Sequence, residues 1–473
     1  MVFSSSLFLV YFLPLFLVVY HLFSKNYKNY IILIASIIFY SWGAPLFVYV
    51  ILTSTIVDFY LVKKLHSSQK IIHRKLLLSL SIFINLGLLL YFKYANFFVE
   101  NVNVVLESIG ITELAWTSVA LPIGISFYTF QTLTYSIDVY RKVHAPLEKV
   151  TDYLLYIMSF PQMIAGPIVR FSSIADQITD RNETIDDKLI GFYRFSIGLA
   201  KKVLIANVMA EQADLIFNSD LKQLSIGTAW LGILAYTFQI YFDFSGYSDM
   251  AIGLGRMMGF KFPENFNSPY VSQNISEFWR RWHITLGTFM RDYLYIPLGG
   301  NRVSSKSRLF FNLWIVFLLS GLWHGAAWNF VIWGAYHGAF LILDRVFLIK
   351  VLNKLGKVPS ILFTFLVVMI GWVVFRLENM QDIGVYLSKL FAFNSFESIE
   401  TLPSFLLVGS IAVVFSFFVA FKQGKRIEEF VFSTERFSLK ANLVFSLSAV
   451  LLFILSLSAI NSSGFNPFIY FRF

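Results

Sequence analysis

The sequence predicts an all-α protein that crosses a membrane several times. Of its 473 residues, 57% are hydrophobic and only 14% are charged, less charge than the surface of a soluble protein of this size exposes. Apolar stretches of about 20 residues, the length of a helix that spans a bilayer, recur along the whole chain. We expect roughly 11–13 spanning or re-entrant helices. They fall in the stretches 5–22, 31–62, 76–94, 119–140, 226–247, 309–346, 359–376, 403–421 and 441–460.

Helix-breaking residues predict how some of these stretches are divided. Gly43 and Pro45 interrupt the second stretch, and proline and glycine in 121–131 and 160–170 are typical of re-entrant segments. The polar segment 172–196 is expected to form an interfacial loop that leads into an amphipathic helix. No repeat or long linker divides the chain, so we expect one domain over 1–473 with a functional core at 120–345.

The distribution of charge predicts the orientation in the membrane. The net charge of +10 is concentrated in short loops, and 63–75 carries five Lys or Arg and no acid. The positive-inside rule explains this excess without a nucleic-acid ligand. It predicts a cytoplasmic 63–75, an external N-terminus and an external tail at 461–473. The first span has no basic residue before it and no small-residue cleavage site, so we expect it to remain in the mature protein.

The chain contains no cysteine, which restricts its chemistry. Thiolate nucleophiles, disulfides, cysteine-ligated zinc and iron–sulfur clusters are all excluded. Any nucleophile or base must therefore come from His, Ser, Tyr, Asp, Glu or Lys.

His324 is the strongest candidate for a catalytic residue. It follows Trp323 at the end of an apolar run that starts after Arg308. A helix of that length places it past the middle of the bilayer, where ionisable groups are costly and usually functional. A general base is one interpretation, and a hydrogen-bonded histidine that packs two helices is the other. His337, 13 residues later, is too far along a straight helix to share a metal with it, so no metal site is expected.

The segment 278–302 is the second candidate for the site. It concentrates ionisable and aromatic side chains, among them Arg280, Arg281, Trp282, His283 and Asp292. One interpretation is an aromatic belt with interfacial arginines. The other is a water-filled cavity in which the arginines bind a phosphate-bearing substrate such as coenzyme A.

Two further residues complete the candidate set. Asp243 lies in an otherwise apolar stretch and is either a substrate ligand or a charge partner for the arginines. Tyr470 lies in the aromatic tail, whose composition is that of an interfacial anchor.

These segments resemble the membrane-bound O-acyltransferase family, in its bacterial branch of alginate O-acetylation protein I and peptidoglycan O-acetyltransferase A. The similarity covers most of the chain and is weakest at about 380–440. It runs through YFKYANF (91–97), LPIGISFYTFQ (121–131), AGPIVRF (165–171), QIYFDFSGYSDMAIGLG (239–255), FWRRWHITL (278–286), RDYLYIPLGGNR (291–302) and GLWHGAAWNF (321–330).

The resemblance implies a ring of tilted helices around a central funnel and tunnel, with His324 as the catalytic histidine. His283 falls where the wider family has a second polar active-site residue, often Asn or Asp. The tail is similar to the tyrosine motif of the D-alanylation system, which makes Tyr470 a candidate acyl carrier. The expected donor is acetyl-CoA, with no bound cofactor, and Arg280, Arg281, Trp282, Asp292, Asp243 and Trp323 are expected to bind substrate.

The resemblance further implies a place and a partner. The place is the bacterial cytoplasmic membrane, and the partner is an extracytoplasmic SGNH or esterase-like acetyltransferase that modifies a polysaccharide. Two alternatives remain at this stage. One is a lipid acyltransferase of the same superfamily that uses long-chain donors. The other is a non-catalytic transporter, which predicts inverted repeats that the sequence does not display.

Overall fold

The computed structural model describes residues 1–392, 401–467 and 469, and within them the regular structure is helical. The chain divides into two compact units, Met1–Glu183 with Met258–Pro263, and Thr184–Met257 with Glu264–Phe473. The predicted all-α membrane protein is confirmed. Three of the described helical segments are long and apolar enough to cross a membrane, at Ile71–Ser108, Lys357–Arg376 and Leu439–Ser463, and a pair bent by 98° adds a possible fourth. The expected count of roughly 11–13 remains a prediction.

The first unit contains helices α1 to α9. A π-helical turn at Leu7–Phe12 precedes α1, and another at Leu90–Tyr94 joins α4 to α5. The bounds are α1 Leu13–Leu22, α2 Lys25–Gly43, α3 Phe47–Ser67, α4 Ile71–Leu89, α5 Ala95–Ser108, α6 Ile125–Tyr140, α7 Val150–Met158, α8 Phe160–Met163 and α9 Phe171–Thr179.

The structure of the first unit tests two predictions made from the sequence. The break predicted at Gly43 and Pro45 is confirmed, since α2 ends at Gly43 and α3 begins at Phe47. The loop predicted from residue 172 is wrong in its first part, because α9 occupies Phe171–Thr179. Ile174 and Ile178 lie one helical turn apart and are both buried, so an apolar face stabilises a helix in a polar segment.

A buried carboxylate joins four helices of the first unit. Asp58 on α3 accepts hydrogen bonds from Ser81 and Asn85 on α4, from Ser136 on α6 and from Tyr153 on α7. The Tyr153 hydroxyl lies 2.7 Å from Oδ2 and the Asn85 amide 3.2 Å from Oδ1. A buried carboxylate is stable only when hydrogen bonds replace its hydration, so this residue fixes how the four helices meet.

The second unit contains helices α10 to α22. π-Helical turns lie at Lys201–Ala206, Arg291–Tyr295 and Asp344–Leu348, and short 3₁₀ turns at Leu221–Gln223, Pro269–Val271 and Phe418–Ala420. The bounds are α10 Ile185–Ala200, α11 Asn207–Phe217, α12 Ile226–Met257, α13 Ile275–Arg281, α14 Ile284–Met290, α15 Lys306–His324, α16 Trp328–Leu343, α17 Ile349–Leu355, α18 Lys357–Arg376, α19 Met380–Leu390, α20 Phe405–Phe417, α21 Lys422–Ser433 and α22 Leu439–Ser463.

Helix α12 is the centre of this unit, and most of its 32 residues are buried. It crosses α10 in close contact at two levels, where Gly191 faces Gly253 and Gly198 faces Gly246. A Cβ atom on Gly198 would lie 2.5 Å from the carbonyl oxygen of Gly246, and one on Gly253 would lie 2.5 Å from that of Gly191. Only glycine permits this approach of two backbones, which brings Arg194 of α10 and the lysines of the following π-helical turn next to α12.

We predict that Asp58→Ala destabilises the protein by about 3 kcal/mol, because buried donors on α4, α6 and α7 lose their acceptor. The measurement is the thermal unfolding midpoint of the purified protein in detergent. Asp180→Asn is the control, since Asp180 forms an exposed pair with Lys25 and is expected to change the midpoint little. Equal midpoints for Asp58→Ala and wild type would contradict the role of Asp58.

Candidate active site

His324 is the last residue of α15, and a non-helical turn separates it from α16. The two helices form a tightly packed hairpin. A Cβ atom on Gly321 would lie 2.2 Å from the carbonyl oxygen of Phe330, and one on Gly334 would lie 2.4 Å from that of Phe317. The glycines therefore allow the contact that places the helix end, and with it His324, inside the unit. The His324 side chain is buried, with 7% of the residue exposed.

Aromatic rings surround the imidazole of His324. The ring centroids of Trp323, Trp333 and Phe375 lie 5.0, 5.2 and 5.3 Å from it, each in an edge-to-face arrangement. A cavity of about 10 Å³ remains beside it, roughly the space for one water molecule. We name it the His324 chamber, and it is lined by Ile240, Phe244, Trp282, His324, Trp333, Trp372, Phe375 and Ile469. An acyl group enters this space only if lining side chains move.

His283 lies on the other side of Trp323, whose ring centroid is 5.9 Å from that of His283. It separates α13 from α14 and has a left-handed backbone, with φ 45° and ψ 53°. This conformation is unfavourable for a residue with a side chain and tends to occur at functional sites. His283 is 2% exposed and also packs edge-to-face on Phe244. The two predicted histidines are therefore brought to one aromatic cluster.

Asn265 determines which ring nitrogen of His283 carries the proton. Its Oδ1 atom accepts hydrogen bonds from the backbone N–H and the hydroxyl of Thr285, at 3.3 and 2.8 Å. Because a backbone N–H only donates, this atom must be the amide oxygen. It lies 3.1 Å from Nδ1 of His283, so Nδ1 carries the proton and Nε2 is left with its lone pair. Asn265 in turn donates to Ser248 on α12 at 3.0 Å.

The arginines predicted to bind a phosphate-bearing substrate do not line the His324 chamber. Arg281 forms a salt bridge with Glu277 one turn earlier, at 2.9 Å, and donates to the carbonyl oxygen of Asn267. Arg280 is exposed. Asp292 is partly buried and pairs with the adjacent, exposed Arg291 at 2.7 Å. Of the residues predicted to bind substrate, Trp282 lines the chamber and Trp323 packs against the imidazole of His324.

Asp243 pairs with a lysine rather than with those arginines. Its Oδ1 lies 2.7 Å from Nζ of Lys202, and both side chains are almost fully buried. Its Oδ2 accepts a hydrogen bond of 2.8 Å from the backbone N–H of Ile469, in the C-terminal tail. Ile469 lines the His324 chamber and is 3% exposed. Ile469 thus packs inside the unit, unlike a residue of an aromatic anchor at a membrane interface. Tyr470 lies outside the described residues.

The remaining buried histidine is held by aromatic packing. His337 on α16 is fully buried, with ring centroids of Trp279 and Trp333 at 4.9 and 5.1 Å. Within the described ranges, no group of three or more His, Asp or Glu is arranged to hold a metal ion.

Sequence reasoning missed two polar residues of the site, Lys202 and Asn265. Lys202 could have been noticed, because it follows an apolar helix and is itself followed by Val, Leu, Ile and Ala. No pattern around Asn265 marks it, because its partners Thr285 and Ser248 lie 20 and 17 residues away.

Comparison with known proteins gives one family. The model of the membrane-bound O-acyltransferase family matches residues 142–349, which include His283 and His324. A probable alginate O-acetylase of Pseudomonas aeruginosa is 45% identical over 403 residues, covering 85% of this chain and 76% of that protein. A peptidoglycan O-acetyltransferase of Helicobacter pylori is 37% identical, covering 81% and 78%. A teichoic acid D-alanyltransferase of Bacillus subtilis is 30% identical over 48% and 59%.

We predict that the His283 imidazole is protonated on Nδ1 while neutral, because the Asn265 oxygen accepts that proton. The measurement is nuclear magnetic resonance of protein labelled with a nitrogen isotope in histidine, with His283→Gln to assign the signal. Asn265→Leu removes the acceptor and is expected to give a mixture of both tautomers. A wild-type signal for protonation on Nε2 would contradict the geometry.

Proposed function

Because this chain belongs to the membrane-bound O-acyltransferase family and is an O-acyltransferase, we propose that it delivers acetyl groups across the membrane to an extracytoplasmic polysaccharide. The observation that carries the proposal is the position of His324. It ends a helix inside an aromatic chamber, in the region that matches the family model. The names of two relatives, an alginate O-acetylase and a peptidoglycan O-acetyltransferase, support acetyl as the transferred group.

The proposed donor is acetyl-CoA, which reaches the chamber from the cytoplasm. An acceptor hydroxyl attacks the thioester carbonyl carbon while His324 removes the hydroxyl proton. The C–S bond then breaks, the proton passes to the departing sulfur, and the products are an O-acetyl ester and free coenzyme A. The chain supplies His324 as the base and the surrounding rings, which exclude water that would otherwise hydrolyse the thioester.

Tyr470 is the proposed first acceptor. It follows Ile469 directly in the sequence, and Ile469 lines the His324 chamber. This supports a path in which the tail tyrosine receives acetyl near His324 and passes it outward. His283 is proposed as a second active-site residue, since its ring and that of His324 both pack against Trp323.

The proposed setting is a bacterial cytoplasmic membrane, with the N-terminus and the tail on the external side. The basic residues of 63–75, at the end of α3 and the start of α4, support this orientation, as do the glutamates of 100–113. We propose an extracytoplasmic SGNH or esterase-like partner that takes the acetyl group and places it on the polymer. The polymer class rests on the relatives, whose names include alginate and peptidoglycan modification.

The two alternatives receive less support. The non-catalytic transporter is overturned by membership of an acyltransferase family. A long-chain lipid donor receives less support because the names of two relatives specify O-acetylation.

We predict that His324→Ala lowers polysaccharide O-acetylation at least about 100-fold, the usual contribution of a general base. The measurement is ester-linked acetate per unit of isolated polymer, in cells that carry equal amounts of each variant in the membrane. His66→Ala is the matched control, because His66 is an exposed histidine at the end of α3. Wild-type acetylation by stably inserted His324→Ala would refute the proposal.

A further inference from the structure

Three buried side chains of the second unit hold the main chain of the C-terminal tail. Lys202 donates to the carbonyl oxygen of Pro467, and Asp243 accepts from the N–H of Ile469 at 2.8 Å. Asn207 donates from Nδ2 to the carbonyl oxygen of Phe465 at 3.3 Å. Asn207 also donates to the side-chain oxygen of Asn466 at 3.4 Å. The contacts of Lys202 and Asp243 are to backbone atoms, so this pair recognises the path of the tail rather than its side chains.

Burial of the ion pair of Lys202 and Asp243 would cost free energy if the two charges had no further partners. Lys202 and Asp243 lie 2.7 Å apart, and their side chains are 3% and 2% exposed. A buried ion pair repays the loss of hydration only when further hydrogen bonds satisfy the remaining groups. Here the tail supplies a carbonyl to the cation and an N–H to the carboxylate, so each charge gains the partner of matching polarity.

The same π-helical turn forms a second ion pair, which serves as a comparison because the described residues show no hydrogen bond between it and the tail. Lys201, the neighbour of Lys202 in the π-helical turn, pairs with Asp249 at 2.6 Å. Asp249 lies six residues after Asp243 on α12, about 9 Å along the helix, and its other partner is Arg194 at 2.7 Å. The pair of Lys201 and Asp249 thus joins the same two elements, while the pair of Lys202 and Asp243 additionally binds residues 467 and 469.

The contacts of the pair place the tail against the reacting histidine. Ile469, whose N–H binds Asp243, has its side chain in the wall of the His324 chamber. Ile469 is therefore one of the side chains that restrict the space beside the imidazole to about 10 Å³.

We propose that the buried pair of Lys202 and Asp243 is a clamp that seats the C-terminal tail in the His324 chamber through backbone hydrogen bonds. Lys202 and Asp243 are then positioning residues, because they act on the reaction through the tail. The structural part of the proposal stands alone, and its effect on acetyl transfer rests on the proposed function above. When the clamp is lost, the tail leaves the chamber and water replaces it as the acceptor beside His324.

The first experiment measures seating without any assay of activity. Because the chain has no cysteine, Ile469→Cys introduces a single thiol and keeps the N–H that Asp243 binds. Purified protein in detergent is treated with a polyethylene-glycol maleimide, and the rate of labelling is followed by the mass shift. We expect labelling to rise at least tenfold when Asp243→Asn or the charge-free pair Lys202→Met with Asp243→Leu is added. Lys201→Met is the matched control and is expected to leave the rate unchanged.

The second measurement changes only residue 469 of the tail and leaves the buried pair of Lys202 and Asp243 intact, so that the result does not depend on a variant that fails to fold. Ile469→Pro removes the N–H that Asp243 accepts, whereas Ile469→Val keeps it. Carboxypeptidase is expected to trim the Ile469→Pro tail at least tenfold faster than the Ile469→Val tail. Equal trimming rates, or equal maleimide labelling with and without the clamp, would overturn the clamp.

Two activity measurements distinguish loss of the clamp from loss of the proposed base, His324. Clamp variants are expected to lose polysaccharide acetylation at least tenfold while they still release free coenzyme A from acetyl-CoA, and His324→Ala is expected to lose both. Lys201→Met is expected to retain both activities. Faster labelling with unchanged polymer acetylation would overturn the positioning role. Unchanged acetylation in His324→Ala, with clamp-dependent labelling intact, would instead refute the proposed function and leave the seating of the tail established.

Discussion

Three carboxylates that this protein buries between helices, those of Asp58, Asp243 and Asp249, are paired with donors or cations of neighbouring elements, and these pairs organise both units. In the first unit, the carboxylate of Asp58 collects hydroxyl and amide donors from three other helices. In the second, Asp243 and Asp249 on α12 pair with lysines of the neighbouring π-helical turn. An unpaired charge at these positions costs several kcal/mol, so the pairs determine which helices meet and in what register.

The candidate active site combines such pairs with close packing of helices and aromatic rings. Close glycine contacts between α15 and α16 bring the end of α15 into the interior, where His324 is enclosed by aromatic rings. The left-handed backbone at His283 places a second imidazole across Trp323, and Asn265 holds that ring through one defined nitrogen. The tail completes the chamber because a buried ion pair binds its main chain. In the proposed function, this arrangement brings the base and the acceptor together away from bulk water.

Much of the fold could be predicted from the sequence, because the features that predict it involve residues close together in the chain. Apolar length predicted α12, α18 and α22, and the break between α2 and α3 follows from Gly43 and Pro45. His324 was identifiable because a histidine in an apolar run is costly. The partner of Arg281 was readable as well, since Glu277 is four residues away. The partner of Asp243 was not, because Lys202 is 41 positions earlier and only the packing of α10 against α12 brings them together. The apolar face of α9 was hidden by the polar residues around it.

The most direct test of the account is mass spectrometry of the purified protein after incubation with acetyl-CoA, comparing wild type, His324→Ala and Tyr470→Phe. If Tyr470 carries the acetyl group, we expect one acetyl group on the C-terminal peptide of the wild type and none on that peptide in either variant. An unmodified C-terminal peptide in wild-type protein that hydrolyses acetyl-CoA, together with full polymer acetylation by Tyr470→Phe, would contradict the tail as acyl carrier.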